Sequence, residues 1–389
     1  MKKPLAFAAA LLVGVFSLLA SAPAARAESP KSLRVFIGTY TGPDKGKGIY
    51  LYDFDLASGA LKQVAVAAET RSPSFLAMSP DRKAVYAVGE VSEFQGKKSG
   101  MVTAFAVDET TGKLTALNSQ PTGGEGPCHV SVSPDGKNVF AANYPTGTIA
   151  SLHVAPDGKL MEPASVIQHE GQGTDPNRQK GPHAHGIWSS PDGRFVLACD
   201  LGLDKVLVYK LDAESGKLTP NDPAFGKVPD GAGARHLAFG KDAKFAYVIN
   251  EMGNTMTAFT WDGASGTLTP IQTISTLPEG FSGKSYCAEV VLHPSGKFVY
   301  GSNRGHNSLT AFKVDESTGK LTLAGITPCG VDWPRNFNID PTGQWLIAAG
   351  EKSGTLTVFK IDQTTGGLTQ TGDAEKLPAP ACVLFVPPQ

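Results

Sequence analysis

The 389-residue sequence predicts an all-β fold, a seven-bladed β-propeller with four-stranded antiparallel blades, from three observations. First, 44 glycines and 28 prolines spread along the chain indicate many short strands joined by turns. Second, two turn signatures alternate along the chain, with copies of each about 50 residues apart. Third, the segments between the turns alternate polar and apolar residues, which is typical of antiparallel hairpins. Small sheets repeated in this way predict a radial arrangement of blades.

The first signature gives the number of blades. It is a D-x-x-x-G-x-L turn, and its copies begin at Asp55, Asp108, Asp212, Asp262, Asp315 and Asp362, with a shortened copy from Pro156. These copies predict seven units. A β-sandwich or a solenoid is the alternative to a closed ring.

The second signature is a hairpin with a P-D-G-like turn at its tip. It occurs six times, with the proline or its equivalent at Pro80, Pro134, Pro191, Lys241, Pro294 and Pro341. The seventh hairpin is complete if "ACVLFV" near the C-terminus pairs with "RVFIGTY" near the N-terminus, so that strands from both ends close the ring. No linker interrupts the repeats, which predicts one domain over residues 28–389.

Residues 1–27 have the pattern of a cleavable export signal. Lys2 and Lys3 precede the apolar run "PLAFAAALLVGVFSLLA", and "AARA" ends at Ala27 with small residues where cleavage is expected. A single membrane anchor is the alternative. Cleavage changes the formal net charge from -1 to -4, and no later segment is apolar enough to span a bilayer. We therefore expect a periplasmic, mildly acidic protein without a membrane partner after cleavage.

Several function classes lose support from the sequence. It has no G-x-S-x-G, H-E-x-x-H, P-loop or G-x-G-x-x-G motif, which argues against covalent serine catalysis and nucleotide binding. A negative charge without a basic cluster argues against nucleic acid as a partner. Five cysteines without a C-x-x-C spacing leave at least one thiol unpaired, and their spacing assigns no disulfide.

The hairpin signature also predicts where polar side chains converge. Each innermost strand starts six residues before its turn, at Ser74, Cys128, His185, Arg235, Ala288 and Arg335. Each hairpin returns nine or ten residues after the turn, at positions that include Asp200, Asn250, Glu251, Asn303, Arg304 and Glu351. Because innermost strands run along the central channel, we expect a site at one mouth of it, with residues 169–182 as a rim or lid.

The motif "HAH" raises the question of a metal. Strand alternation puts His183 and His185 on one face, which suits shared ligation, but zinc would need a third ligand and Asp200 is the only obvious candidate. A polar strand end is the structural alternative. We expect no cofactor, with a divalent metal as the minor possibility, and expect His185 to act in proton transfer or substrate binding with His183 in support.

Arginines and glutamates recur on the same hairpins. Arg235 and Glu251 lie across one hairpin, where a plain inter-strand ion pair is the structural alternative, and Arg335 and Glu351 repeat this pairing. Arg304 in the blade after Arg235 adds a second arginine. This excess of positive charge suits an anionic transition state.

At these motifs the chain resembles a known family, the lactonase-type seven-bladed propellers. They include the propeller 6-phosphogluconolactonases and the fungal 3-carboxy-cis,cis-muconate lactonizing enzymes. The resemblance is carried by "RQKGPHAHG" with "DLGLDKV", "GARHLAFGKDAKFAYVINE", "HPSGKFVYGSNRGHNS" and "PRNFNIDPTGQWL". It implies an active-site quartet of one histidine, two arginines and one glutamate, which falls on His185, Arg235, Arg304 and Glu251.

The resemblance implies lactone chemistry, and the predicted compartment suggests the substrate. We expect a periplasmic hydrolase that opens an unphosphorylated sugar lactone, D-glucono-1,5-lactone, with Glu251 or His185 as the base and Arg235 and Arg304 stabilising the oxyanion. Additional substrate-binding candidates are His183, Asp200, Asn250, Asn303, Arg335 and Glu351. The alternatives are a 6-phosphogluconolactonase, a muconate-type lactonizing cycloisomerase and an exported propeller that binds without turnover. The oligomeric state stays open.

Overall fold

Twenty-eight β-strands form seven four-stranded antiparallel sheets, and there is no helix among residues 1–6 and 31–387, the part of the chain that the computed structural model describes. The predicted fold class is confirmed. Most of the predicted export signal, residues 7–27, lies outside the described residues. Nothing in the described ranges forms a helix long and apolar enough to cross a bilayer.

The blades follow one another along the chain, and we number as blade 7 the one that combines the first three strands with the last. Blade 7 contains β1 (Ser32–Thr39), β2 (Gly48–Asp55), β3 (Leu61–Glu69) and, from the other end of the chain, β28 (Pro380–Phe385). Blade 1 contains β4 (Leu76–Met78), β5 (Ala84–Gly89), β6 (Met101–Val107) and β7 (Leu114–Pro121). Blade 2 contains β8 (Pro127–Val132), β9 (Asn138–Asn143), β10 (Thr148–Val154) and β11 (Leu160–Gln168).

The remaining four blades have the same build. Blade 3 contains β12 (Ala184–Ser189), β13 (Phe195–Asp200), β14 (Lys205–Leu211) and β15 (Leu218–Lys227). Blade 4 contains β16 (Ala234–Phe239), β17 (Phe245–Asn250), β18 (Thr255–Asp262) and β19 (Thr267–Ser275). Blade 5 contains β20 (Tyr286–Leu292), β21 (Phe298–Arg304), β22 (Ser308–Val314) and β23 (Leu321–Pro328). Blade 6 contains β24 (Pro334–Ile339), β25 (Trp345–Gly350), β26 (Thr355–Ile361) and β27 (Leu368–Lys376).

The ring closes in blade 7 as the sequence predicts. Strand β28 pairs antiparallel with β1, from Val35 opposite Phe385 to Thr39 opposite Pro380. The innermost strands β28, β4, β8, β12, β16, β20 and β24 contact one another in succession around the channel. Apolar side chains fill the space between blades: the Phe54 ring meets the rings of Trp345 in blade 6 and Phe385 edge-on, at 5.9 and 5.7 Å between centroids. Each such buried ring contributes about 1.5–3 kcal/mol.

The D-x-x-x-G-x-L signature forms the turn between the two outer strands of a blade. In the copy that begins at Asp55, one carboxylate oxygen accepts the backbone N–H groups of Ala57 and Ser58, and Gly59 N–H donates to the Asp55 carbonyl. Gly59 has φ of 75°, a left-handed backbone that glycine adopts without a steric penalty. The aspartate of the motif therefore provides side-chain hydrogen bonds to the turn, and the glycine provides its left-handed backbone.

A β-bulge at the start of the innermost strand shapes the channel. In blades 2, 3, 4 and 6 the pairing register skips one residue, as between Ala184 and Gly186 and between Ala234 and His236. A bulge interrupts the strict alternation of side chains and re-aims the residues on either side of it. Two consecutive residues, such as Arg235 and His236, consequently both reach the channel, in two layers.

Candidate active site

One carboxylate at the mouth gathers three arginines. Arg235 lies near the start of β16, Arg304 ends β21, and Glu251 directly follows β17. Glu251 Oε2 is 2.7 Å from an Arg304 terminal nitrogen and 3.1 Å from Arg235 Nε. Glu251 Oε1 is 2.8 Å from a terminal nitrogen of Arg178. We call these four residues the Glu251 cluster. The two arginines of the quartet therefore meet on its one glutamate.

Arg178 belongs to the segment 169–182, which does reach the mouth. Its guanidinium also donates to the Tyr144 hydroxyl at 3.0 Å, and its side chain is 36% exposed. Gln179 next to it fixes the segment, because its side-chain oxygen accepts the N–H groups of Thr174 and Asp175. The sequence pointed to the segment but not to Arg178, since nothing in "TDPNRQK" distinguishes this arginine from an exposed one.

The charges of the Glu251 cluster are fixed by their surroundings. Burial alone would raise the pKa of Glu251, but Arg304, Arg235 and Arg178 hold it at about 2. Burial, with repulsion from Arg304 and Arg335, lowers the pKa of Arg235 to about 10. At neutral pH three guanidinium groups thus surround one carboxylate, and the cluster keeps a net positive charge at the mouth.

His185 lies beside this cluster and is neutral. Burial and the positive charges of Arg235, Arg335 and Arg304 lower its pKa well below 6.5. The Cys128 thiol donates to the His185 carbonyl at 3.3 Å, and Cys128 Sγ lies 3.7 Å from His185 Nδ1. No described residue hydrogen-bonds to His185 Nε2. Burial raises the pKa of Cys128 to about 12, so it stays a thiol.

A second group of charged residues lies on the other side of the mouth. Tyr40, Glu90, Arg335 and Glu351 form what we call the Arg335 cluster. Glu90 accepts hydrogen bonds from the hydroxyls of Tyr40, at 2.9 Å, and Ser74. The Arg335 guanidinium lies 5.5 Å from the Tyr40 ring centroid. Burial acts against it, but Tyr40, Glu90 and Glu351 raise the pKa of Arg335, so it is positively charged.

The repeated pairing predicted at Arg335 and Glu351 is not found. Within residues 31–387 neither side chain has an ion pair within 4.0 Å or a hydrogen bond to the protein. The residues at the same two positions of blade 4, Arg235 and Glu251, are 3.1 Å apart. The same sequence spacing therefore produces a closed ion pair in one blade and two available groups in another.

Three predicted substrate-binding residues face the interior of their blades. Asp200, Asn250 and Asn303 are completely buried. The Asp200 carboxylate accepts hydrogen bonds from His169 Nδ1 at 2.6 Å and from the backbone N–H of His183 at 2.8 Å. The amides of Asn250 and Asn303 donate to threonine and serine hydroxyls of the neighbouring strand, at 2.9–3.0 Å. These side chains hold the strand ends that carry the mouth residues.

Strand alternation explains this outcome. Sequence spacing put the mouth nine or ten residues after the turn, and the tenth residue is the one that reaches it, as Glu251 and Glu351 do. The ninth residue points the other way. His183 stays at the rim, where its ring stacks on Tyr144 at 4.7 Å and its Nδ1 bonds to the Tyr144 carbonyl.

A second layer of side chains lies beneath the mouth. The His129 ring contacts those of Phe75 and His236, and His236 Nδ1 shares a hydrogen bond with Glu289 Oε1 at 2.8 Å. Asn336 donates to the other oxygen of Glu289 at 2.6 Å. A cavity of about 360 Å³ begins on the far side of this layer, and none of the quartet lines it. We therefore place the site at the mouth and not in that cavity.

The described residues contain no group of three or more histidine, cysteine, aspartate or glutamate side chains arranged to hold a metal ion. Asp200, the third ligand considered for "HAH", is engaged by His169 and by the His183 backbone. All five cysteines are buried free thiols. The chemistry of the mouth is that of guanidinium, carboxylate and imidazole groups.

A seven-bladed propeller with buried arginines, a carboxylate and a neutral histidine at one mouth defines a class of protein suited to stabilising negative charge on a small ligand. Comparison with known proteins identifies the family. The chain belongs to the family "Lactonase, 7-bladed beta-propeller", which matches residues 34–385. It is therefore a lactone-hydrolysing enzyme, a carboxylic ester hydrolase.

Individual relatives share most of the chain. A 6-phosphogluconolactonase of Bacillus subtilis (strain 168) is 36% identical over 307 residues, 78% of this chain and 84% of that protein. A 6-phosphogluconolactonase of Formosa agariphila is 31% identical over 311 residues, 79% of this chain and 86% of that protein. The solved structure of a periplasmic gluconolactonase of Pseudomonas aeruginosa is 34% identical, with a TM-score of 0.85, and covers 91% of this chain and 99% of that one.

Proposed function

We propose that the protein hydrolyses D-glucono-1,5-lactone to gluconate, and that it does so in the periplasm. The observation that carries the chemistry is the convergence of Arg235 and Arg304 on Glu251 beside neutral His185. Two guanidinium groups held in place before substrate arrives suit an oxyanion, because they need no reorganisation during the reaction.

The reaction begins with attack of water on the lactone carbonyl carbon. The carbonyl oxygen becomes an oxyanion, which Arg235 and Arg304 stabilise. The bond between the carbonyl carbon and the ring oxygen then breaks, and the ring oxygen leaves as a hydroxyl after taking up a proton. Water supplies the new acid oxygen; one of its protons passes through the base to the leaving ring oxygen, and the other is released when the acid ionises to gluconate, so the equation balances without a cofactor.

We assign the base to His185 and not to Glu251. Glu251, with three arginine partners and a pKa of about 2, has little tendency to take a proton. His185 Nε2 has no hydrogen-bond partner in the described chain, so it is free to take a proton from water in the tautomer that carries its proton on Nδ1. Protonation of His185 is unfavourable beside the arginines, but the developing oxyanion offsets that repulsion. Base assistance of this kind is worth about 10²- to 10⁴-fold in rate.

The Arg335 cluster would bind the rest of the substrate. Arg335 and Glu351 have no ion-pair partner within 4.0 Å in the described chain and can therefore bond to sugar hydroxyls. His183 supports the rim through Tyr144. Asp200, Asn250 and Asn303 would act only through the strand ends that they hold.

The compartment and the free lactone are supported by two observations. The N-terminal sequence has the pattern of an export signal, and the Pseudomonas aeruginosa structure of similar fold is a periplasmic gluconolactonase. The second candidate function is 6-phosphogluconolactonase. It is favoured by the names of the Bacillus and Formosa relatives and by Arg335, whose guanidinium could bind a phosphate.

A rate comparison tests both candidates. Hydrolysis of D-glucono-1,5-lactone and of its 6-phosphate is followed at constant pH by base consumption, with the spontaneous rate subtracted. We expect kcat/KM for the free lactone to exceed that for the phosphate at least tenfold. The reverse preference would replace the proposal with the second candidate, and no acceleration of either substrate would contradict both.

A further inference from the structure

Trp333 lies at the mouth between the two clusters. It follows β23 and directly precedes β24, and its ring centroid is 5.4 Å from the Arg304 guanidinium carbon. The Tyr286 ring meets it edge-on at 6.3 Å. The ammonium of the exposed Lys352 lies 3.3 Å from the centroid. The indole is therefore next to a proposed oxyanion-stabilising arginine, on the blade that carries Arg335.

The backbone of Trp333 is left-handed, with φ of 63°. The blades provide internal comparisons, because four of them are also left-handed at the same position: Ser72 (φ 42°), Gly126 (58°), Gly233 (72°) and Ala379 (49°). This conformation is not needed for the carbonyl hydrogen bond made at this position, because in blade 3 the equivalent His183 is not left-handed and its carbonyl still accepts the N–H of Leu201 at 2.9 Å. The Trp333 oxygen accepts the N–H of Glu351 at 3.2 Å, as that of Gly233 accepts the N–H of Glu251 at 2.8 Å.

The fold thus requires neither a left-handed backbone nor a large side chain at this position. The four other left-handed residues at this position are glycine, serine or alanine, whereas a bulky residue with φ above zero is a steric outlier that costs stability. Strained residues of this kind persist where the surroundings hold them, often at ligand sites. Side-chain function, and not backbone geometry, explains a tryptophan at this position.

We propose that Trp333 is a substrate-binding residue of the mouth, whose indole forms an apolar wall against the carbon–hydrogen face of the lactone ring while Arg304 engages the carbonyl. This inference rests on the proposed function of the mouth. Lys352 covers the indole in the ligand-free protein through a cation–π contact. Such contacts are weak at exposed sites, so a sugar ring can displace the lysine.

Two variants and a matched control test the proposal. Trp333→Gly removes the indole and relieves the backbone strain, Trp333→Phe keeps an aromatic wall, and Ala379→Gly makes the same backbone change at the equivalent position of blade 7. We expect W333G to raise KM for D-glucono-1,5-lactone roughly 3- to 10-fold, at a melting temperature no lower than that of A379G. W333F and A379G should keep KM within about twofold.

Fluorescence gives a second measurement that does not depend on W333G folding. Adding D-gluconate to the wild type should change the tryptophan emission, and W333F, which retains the other three tryptophans, should lose that change. An unchanged KM in W333G, a gluconate response that persists in W333F, or a KM increase accompanied by a large loss of stability would each overturn the proposal. Absence of lactone hydrolysis by the wild type would instead show that the proposed function is wrong.

Discussion

Arg235 with Glu251 and Arg335 with Glu351 occupy the same two positions of blades 4 and 6, yet their side chains are held in opposite ways. Glu251 bonds to three guanidinium groups, which fix both its position and its charge. Arg335 and Glu351 have no ion pair within 4.0 Å in the described chain. A closed network suits transition-state stabilisation, since its geometry exists before substrate binds, and unpaired groups suit recognition, since the ligand completes their hydrogen bonds.

The largest expected effect comes from the Glu251 cluster. Arg304→Ala should lower kcat for lactone hydrolysis about 10²- to 10³-fold, because one oxyanion donor is lost. The measurement is the initial rate at constant pH after subtraction of the spontaneous rate. Arg194→Ala, an exposed arginine bonded to Asp192, is the control and should keep the wild-type rate. A kcat for R304A within a few-fold of the wild type would remove Arg304 from the chemistry.

Glutamates at the same position of two blades offer the next comparison. Glu251→Gln leaves three buried or half-buried arginines without a carboxylate and should lower the free energy of unfolding by about 3–5 kcal/mol. Glu351→Gln breaks no ion pair within 4.0 Å and should change it by less than about 0.5 kcal/mol. Urea denaturation at pH 7 measures both, and equal losses would show that the two halves of the mouth are held alike.

The stability difference between wild type and E251Q should depend on pH because of the Glu251 carboxylate. Its pKa is lowered from 4.5 to about 2 in the folded protein, so its stabilisation is complete above pH 4.5 and is lost as pH falls towards 2. The difference in the free energy of unfolding between wild type and E251Q should therefore narrow below pH 4.5. A difference that stays constant with pH would mean that Glu251 is not ionised in the folded protein.

The smallest effect on catalysis is expected in the Arg335 cluster. Arg335→Ala should raise KM about tenfold with kcat changed only a few-fold, because the proposed contact is made to bound substrate and transition state alike. Steady-state kinetics on the lactone separate the two constants. A fall in kcat as large as that of R304A would mean that Arg335 takes part in the chemical step and that the division between the two clusters is wrong.

The fold was predictable from sequence because its information is local and repeated. Each blade carries its own turns, as with Asp55 and Gly59, and the pairing of β28 with β1 followed from the one incomplete hairpin. The prediction of a polar mouth used the same periodicity. It named Arg235 and Glu251 of blade 4 and Arg304 of blade 5. The structure brings both arginines within 3.1 Å of the Glu251 carboxylate.

The rest of the site depends on contacts between distant segments. Arg178 reaches Glu251 from a loop without periodicity, so spacing gives no position for it. Spacing alone also did not separate Asn250 from Glu251, since only alternation decides which of two neighbours faces the mouth. The special status of Trp333 lies in its backbone angle, which residue order alone does not reveal.

The pairing of β1 with β28 has a consequence for the order of assembly. Six sheets consist of consecutive strands and can form as soon as their own stretch of chain is available, but blade 7 joins residues near position 35 to residues near position 385. During synthesis the first strand of the ring therefore waits for the last. Any product that ends before Pro380 leaves β1 as an uncovered sheet edge, open to pairing with a neighbouring molecule.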